Sequence, residues 1–206
     1  MPFDLTKIAT RIMEILGEPG AGLLIAIENL FPPIPSEIIL PLVGFTASQG
    51  DFNLFLAIFW TTLGSVVGGL ALYYAGALLG RERTRNIVIR LPLVKVSDFD
   101  KTEAWFLKHE TKAVFYGRMI PLFRSLISIP AGIERMKLST FIILTAAGSL
   151  IWNTVLIMAG YTFGENLHLI EQYVGYLQKL VILTMLLAGG YFIVHRLKKR
   201  RERRNN

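Results

Sequence analysis

Two long stretches of the chain contain no charged residue, and their lengths predict helices that cross a membrane. One covers residues 53–80 and the other residues 138–164. Each exceeds the roughly 20 residues that a helix needs to span the hydrocarbon core of a bilayer. A third stretch, at about residues 172–194, contains only Lys179, whose aliphatic stem can carry the ammonium to the interface. Three membrane-spanning helices are therefore predicted, since core helices of soluble proteins are seldom this long and apolar.

Two further apolar segments are interrupted by proline, which removes a backbone donor and bends the chain. In residues 19–50, the apolar parts on either side of the interruption are about a dozen residues each, too short to span. Irregular backbone at membrane depth is tolerated only where protein or a water-filled cavity surrounds it. We therefore predict two re-entrant hairpins that meet near the midplane, with shallow interfacial loops as the alternative. The predicted breaks are Pro32, Pro33 and Pro35 in the first hairpin and Pro121, Pro130 and Gly132 in the second.

An internal repeat connects these elements. Residues 61–80 align with residues 145–164 at a constant offset of 84, with seven identities that include shared T-x-x-G-S and A-G-x-x-x-G patterns. Each copy follows a proline-broken segment, so the repeating unit is a hairpin plus a helix. The predicted fold is an all-α membrane protein. It consists of an inverted repeat of re-entrant hairpin plus transmembrane helix, followed by a further C-terminal transmembrane helix.

Charge gives the predicted orientation. The 206 residues are 52% hydrophobic and only 18% charged, which excludes disordered, collagen-like and nucleic-acid-binding classes. Of the 22 Lys and Arg residues, eight lie in residues 81–112 and seven in residues 196–204, whereas residues 165–176 have none. The positive-inside rule places the loop and the C-terminal tail in the cytoplasm. We expect a multi-pass membrane protein with its C-terminus in the cytoplasm.

The predicted organisation has three parts. Apolar residues at helical spacing in residues 1–18 indicate an N-terminal amphipathic helix, with a plain N-terminal lead-in as the alternative, and they do not form the apolar core of a cleavable signal peptide. Residues 19–197 form the transmembrane domain, and residues 198–206 form a basic tail. The domain comprises repeat 1 at about 19–80, a cytoplasmic loop at 81–112, repeat 2 at about 113–164, and a last helix at 172–197.

Four ionisable residues fall inside the apolar segments: Glu28, Glu37, Arg118 and Arg124. Each costs about 2.5–3.5 kcal/mol at the bilayer centre, so they must face one another, water or a substrate. The guanidinium group binds phosphate in a bidentate way, which suits an anionic lipid head group at Arg118 and Arg124. Glu28 and Glu37 are candidates for proton coupling. Static ion pairs that lock the two hairpins together are the structural alternative.

The same residues carry a family resemblance. Residues 28–37 (ENLFPPIPSE) resemble the first signature of the DedA family, whose members share the SNARE-associated or VTT domain. Residues 117–125 (GRMIPLFRS), with P-A-G at 130–132, are similar to its second signature. The resemblance implies paired re-entrant hairpins, a location in the bacterial inner (cytoplasmic) membrane, lipid translocation and dependence on the proton-motive force. It also implies undecaprenyl phosphate, the recycled carrier of cell-wall synthesis, or phosphatidylethanolamine as cargo.

The leading hypothesis is a non-enzymatic flippase for a lipid phosphate, most readily undecaprenyl phosphate, that is able to couple to protons. A phospholipid translocase or scramblase is the alternative, and a small-solute or ion exporter a more distant one. A membrane phosphatase lacks support, because His109, His168 and His195 form no catalytic or metal constellation with other residues. The sequence thus predicts no catalytic residue, metal or cofactor. The expected partners are membrane lipids and protons, and nucleic acid is not one of them.

Overall fold

The computed structural model describes residues 5–30, 36–90, 96–121 and 123–163. Every secondary-structure element in these ranges is a helix, as predicted. Three predicted parts lie outside the described residues: the last helix at 172–197, the basic tail at 198–206, and the connection at 165–176, which contains no Lys or Arg. So do Pro32, Pro33 and Pro35.

The N-terminal part consists of three short helices, α1 (Leu5–Leu16), α2 (Glu18–Leu30) and α3 (Ser36–Ser48). Helix α1 ends at Gly17, whose φ of 65° lies in the left-handed region that favours glycine. Ala9 and Met13 of α1 are buried in the same apolar cluster as residues of α2 and α3. At 13 residues, α2 and α3 are each about 20 Å long, which is too short to cross a bilayer alone.

Two long apolar helices correspond to the first two predicted spans: α4 (Leu54–Arg90) and α8 (Leu138–Phe163). Helix α4 begins where it does because the Asn53 side chain accepts the Phe55 and Leu56 amide protons, at 3.0 and 3.2 Å. Its helical geometry is interrupted at Gly80, where φ is 67° and the uncharged run ends. Both helices expose large apolar side chains such as Phe55 and Ile143, as lipid-facing helices do.

The second broken segment, predicted at residues 113–133, contains the end of α5 (Val96–Gly117), then α6 (Phe123–Leu126) and α7 (Ser128–Ile133). Helix α5 ends just before Arg118, and the turn that follows contains Pro121. Pro130 and Gly132 do not interrupt the chain; they lie inside α7, where Pro130 occupies the first turn. Proline is tolerated there because the first-turn amides have no helical partner. The interruption of this segment therefore lies before Pro130.

The shorter helices pack on different long helices. Helices α2 and α7 pack mainly on α4, while α3 and α5 pack on α8. The contacts bring backbones together at glycine. A Cβ on Gly132 would lie 1.9 Å from the Tyr73 carbonyl oxygen of α4, and a Cβ on Gly44 would lie 1.9 Å from the Ile157 carbonyl oxygen of α8. These helices can pack at this distance only because the side chains are absent.

The long helices α4 and α8 run antiparallel. Asn153 of α8 donates a hydrogen bond to Ser65 of α4 at 3.3 Å. Farther along α4, Gly69 lies against the Arg118 side chain, and Arg118 also lies against Gly148 of α8. The step from Ser65 to Gly69 on α4 therefore runs beside the step from Asn153 back to Gly148 on α8. This agrees with the opposite orientations that the charge pattern predicts.

Candidate functional site

The charged residues of the two broken segments meet in one ion pair. Arg124, on α6, donates a hydrogen bond from Nη2 to the Glu28 carboxylate, on the last turn of α2. Both side chains are almost fully buried, at 4% and 6% exposed. The pair joins positions 96 residues apart in the sequence, so it directly connects the first broken segment to the second.

Arg118 is buried with neutral partners. It follows α5, is 1% exposed, and donates hydrogen bonds to Ser128 Oγ at 2.8 Å and to Asn29 Oδ1 at 3.5 Å. Its guanidinium also lies 5.8 Å from the centre of the Phe141 ring, within range of a cation–π interaction. Glycine at position 69 makes room for it, because a Cβ there would lie 2.3 Å from Nη2.

Asn29 connects the surroundings of the two arginines. Its Oδ1 atom accepts hydrogen bonds from Arg118 and, at 3.0 Å, from the Ser125 hydroxyl next to Arg124. Its amide nitrogen donates to the Ile25 carbonyl at 2.9 Å, which fixes which end of the amide faces the arginines. The result is a buried polar cluster, defined here as Glu28, Asn29, Arg118, Arg124, Ser125 and Ser128.

Glu37 lies apart from this cluster of hydrogen bonds. It is half-buried in the first turn of α3, and it forms no ion pair within the part of the chain that the structure describes. It is close enough to Glu28 to repel its charge. The structure thus brings three of the four predicted charged residues together and leaves the fourth beside them. One carboxylate, not two, is bonded to an arginine, and that arginine is Arg124.

Three residues of the cluster were not singled out from the sequence. Asn29, Ser125 and Ser128 are polar residues in apolar segments, and the first two lie next to Glu28 and Arg124 in the chain. That adjacency was the available signal, because a buried polar group almost always needs a hydrogen-bonding partner. Sequence position alone does not show which partner each would find.

A second buried polar layer lies between α4 and α8. Thr61, Ser65 and Asn153 are buried there, and Ser65 Oγ donates to the Thr61 carbonyl at 3.1 Å while it accepts from Asn153. Ser65 is one helical turn from Gly69, so this layer adjoins Arg118. The polar character of the interior therefore extends beyond the arginines into the contact between the long helices.

Comparison with known proteins identifies the family. The VTT domain matches residues 34–162, which include α3 to α8 and both arginines. The chain belongs to the VTT-domain family. This confirms the predicted DedA relationship and, with the two apolar helices, a membrane location. No solved structure matches this VTT-domain protein.

Several curated proteins resemble this VTT-domain protein over most of its length. An "Alkaline phosphatase-like protein" of Lactococcus lactis subsp. lactis (strain IL1403) is 41% identical over 194 residues, covering 92% of this chain and 89% of its own. "Undecaprenyl phosphate transporter A" of Staphylococcus aureus (strain NCTC 8325 / PS 47) is 30% identical, with 96% and 98% covered. "Protein DedA" of Escherichia coli (strain K12) is 27% identical, with 65% and 61% covered.

Proposed function

We propose that this protein is a transporter that moves a lipid phosphate across the cytoplasmic membrane, with Arg118 and Arg124 as the phosphate ligands. The observation that carries the proposal is the environment of Arg118, a fully buried cation whose hydrogen-bonding partners are neutral. A buried charge is expensive unless an opposite charge is nearby. The Glu28 carboxylate is near enough to act on Arg118 through its charge, but it is hydrogen-bonded to Arg124. A phosphate group that entered the cluster would supply a negative charge bonded to Arg118 itself.

The remaining donors suit the same ligand. The Nε–H groups of Arg118 and Arg124 are both buried and have no hydrogen-bonding partner among the described residues. Phosphate offers several acceptor oxygens, and a guanidinium can bind two of them with parallel hydrogen bonds. Two arginines from neighbouring positions can therefore hold one phosphate from two sides. Undecaprenyl phosphate is the proposed cargo, in keeping with the name of the Staphylococcus aureus relative.

Glu28 would compete with the phosphate for Arg124. In the structure the Glu28 carboxylate holds the Arg124 guanidinium. Protonation of Glu28 would weaken that bond and release Arg124 for the phosphate, and Glu37 would influence the step through its charge beside Glu28. This exchange would couple lipid movement to protons. It also makes the ion pair part of the transport cycle rather than a permanent lock.

The packing of the short helices supports the inverted repeat. Tyr73 and Ile157, whose carbonyls contact Gly132 and Gly44, are 84 residues apart, the offset of the sequence repeat. Gly76 and Gly160 show the same spacing, and they contact the carbonyls of Ile129 and Pro41. Each long helix thus receives a short helix from the other repeat in an equivalent way. Repeats of opposite orientation around a central site are typical of transporters that alternate access between two faces.

A hydrogen bond near the start of the domain supports a re-entrant first hairpin. The Glu18 carboxylate, at the start of α2, accepts the backbone N–H of Asn53, just before α4, at 2.9 Å. The chain therefore returns after α3 to the level at which α2 began. With the positive-inside assignment of the loop at 81–112, that level is the outer face, and the C-terminus is cytoplasmic.

The decisive experiment measures lipid movement with purified protein in liposomes. A fluorescent polyprenyl phosphate is supplied in one leaflet, and its appearance in the other is followed for wild type, Arg118→Ala and Arg124→Ala. Arg135→Ala serves as the matched control, because Arg135 is an exposed arginine outside the cluster. We expect both cluster variants to lose movement and the control to keep it. Wild-type rates in Arg118→Ala and Arg124→Ala, with thermal unfolding unchanged, would overturn the arginine assignment.

Phosphatidylethanolamine labelled in the same way distinguishes the cargo. Faster movement of the polyprenyl phosphate supports the proposal, whereas faster movement of phosphatidylethanolamine would make the protein a phospholipid translocase.

The second candidate function is a membrane phosphatase, because the Lactococcus lactis relative is named alkaline phosphatase-like. Release of inorganic phosphate from the polyprenyl phosphate in the same liposomes would favour that candidate over transport.

A further inference from the structure

An apolar groove of about 680 Å³ runs between α5 and the pair α6–α7, outside the buried polar cluster. Its size is in the range of pockets that bind small molecules. Five large apolar side chains on its walls are about half exposed: Trp105, Tyr116, Ile120, Phe123 and Leu126. About half of each side chain is left uncovered by the described residues, so the groove offers an apolar surface of defined shape to a ligand.

Two basic residue types line the groove, and Lys112 is the one that carries a full charge at neutral pH. Lys112 is exposed on its wall, and His109, one turn earlier on α5, lines the same side. None of the described residues that line it is acidic. An apolar groove with a basic rim is complementary to a molecule with a hydrocarbon chain and an anionic head group.

The groove and the polar cluster share a wall. Gly117 and Ile127 form this shared wall, because a Cβ on Gly117 would lie 3.2 Å from the Ile127 side chain. The next residues along the chain, Arg118 and Ser128, are hydrogen-bonded to each other on the other side of the shared wall.

Helix α6 has the same two-sided arrangement. Phe123 and Leu126 face the groove, whereas Arg124 and Ser125 between them are buried in the cluster. One thin layer of chain therefore separates an apolar binding surface from the two proposed phosphate ligands.

We propose that this groove holds one hydrocarbon chain of the transported lipid phosphate, while Lys112 receives its phosphate before the phosphate passes to Arg118 and Arg124. The inference rests on the proposed transport function, and it adds the path by which the lipid reaches the site. The chain stays in the groove on the lipid side of the shared wall. Only the phosphate moves inward, so the hydrocarbon never has to enter the buried polar cluster.

Photocrosslinking tests occupancy of the groove separately from transport. The probe is a polyprenyl phosphate with a diazirine in its chain, incorporated into liposomes with the wild-type protein, and the labelled residues are mapped by mass spectrometry. We expect label on Tyr116, Ile120 and Leu126, and much less when the probe is the corresponding polyprenyl alcohol. Equal labelling by the alcohol would show that the groove holds any membrane lipid, and it would overturn the proposal.

Filling the groove tests its role in transport. Leu126→Trp adds bulk at the wall, and Ile143→Trp adds the same bulk on an exposed part of α8. We expect Leu126→Trp to slow lipid movement about tenfold, which corresponds to the loss of one or two buried methylene groups, and Ile143→Trp to have little effect. Equal rates in the two variants would overturn the groove while leaving the transport function intact. If wild type moves no lipid but the phosphate-dependent labelling persists, the transport function fails and the groove stands.

A second copy of the chain is the other candidate occupant. Because the chain has no cysteine, Leu126→Cys introduces a single thiol into the groove. Efficient crosslinking of two copies through this thiol would assign the groove to a subunit interface and contradict the proposal. We expect instead that the thiol reacts with a maleimide-bearing lipid analogue in the bilayer.

Discussion

The two buried arginines stand in different electrostatic surroundings, although only six positions separate them. Arg124 is bonded to a carboxylate, whereas Arg118 is stabilised by the dipoles of Asn29 and Ser128 and by the face of Phe141. Neutral dipoles offset the charge of a buried cation less than a carboxylate does. The hypothesis of a static ion pair therefore applies to Arg124 alone. Arg118 is therefore the residue that distinguishes the two hypotheses: a site that binds an anion, and ion pairs that only hold the two broken segments together.

Asn29→Asp tests this distinction by giving Arg118 a carboxylate partner of nearly the same shape. A charge-assisted hydrogen bond contributes about 1.5–3 kcal/mol, against about 1 kcal/mol for a neutral one. Aspartate also loses the hydrogen bond that the Asn29 amide donates to the Ile25 carbonyl, so we expect the two effects to offset each other and thermal stability to stay near that of wild type. Lipid movement should fall by about tenfold or more, because the phosphate must now displace the carboxylate. Asn29→Ala is the control, and we expect it to lower stability with a smaller loss of transport. Wild-type transport in Asn29→Asp would show that Arg118 does not bind the phosphate.

Glu28→Gln tests the proposed proton exchange. Glutamine keeps an acceptor for Arg124 but removes the charge and the titratable group, so it should destabilise the protein by up to about 3–5 kcal/mol, the cost of breaking a buried pair. Any lipid movement that remains should no longer respond to an imposed pH gradient. The measurement compares movement with and without the gradient, with Glu14→Gln, at an exposed glutamate of α1 outside the cluster, as the control. A full gradient response in Glu28→Gln would exclude Glu28 as the coupling group.

At the scale of the elements, backbone contacts at glycine hold the short helices to the long ones. In each of the four contacts between a long helix and the short helix of the other repeat, a Cβ would lie 1.9–2.3 Å from a carbonyl oxygen. Such a clash cannot be relieved by a change of side-chain rotamer, because the neighbouring atom belongs to the backbone. The helices must separate instead, which also moves the arginines carried by the second segment.

Gly132→Ala and Gly44→Ala measure how alike the two repeats are. The contact distances are both 1.9 Å, so we expect similar destabilisation, about 1–3 kcal/mol each, as for other overpacked sites. Thermal unfolding in detergent provides the comparison, and Ala75→Leu on the exposed face of α4 is the control for added bulk. If one variant unfolds far below the other, the two contacts are not equivalent, and the repeat does not extend to the hairpins.

At the scale of the whole molecule, the sequence predicts the long helices well and the central site only in part. The uncharged runs at 53–80 and 138–164 match α4 up to its interruption and α8 within one residue, because length and charge alone determine a membrane span. The pairing of Arg124 with Glu28, and of Arg118 with Asn29, depends on how two segments about 90 residues apart approach each other. No local pattern encodes that approach. Pro130, predicted as a break, lies inside α7 for a different reason: the first turn of a helix accepts proline.

The topology of the whole chain can be mapped with single cysteines, because the protein has none of its own. If the first hairpin re-enters from outside, Glu14 and Asp51 lie on the same outer face, as the bond between Glu18 and Asn53 suggests. A membrane-impermeant maleimide should then label Glu14→Cys and Asp51→Cys in intact cells. Glu82→Cys and Lys137→Cys, at the other ends of α4 and α8, should react only after permeabilisation, and they control for leakage. Labelling of Asp51→Cys without Glu14→Cys would mean that residues 18–48 cross the membrane completely, and the hairpin would be wrong.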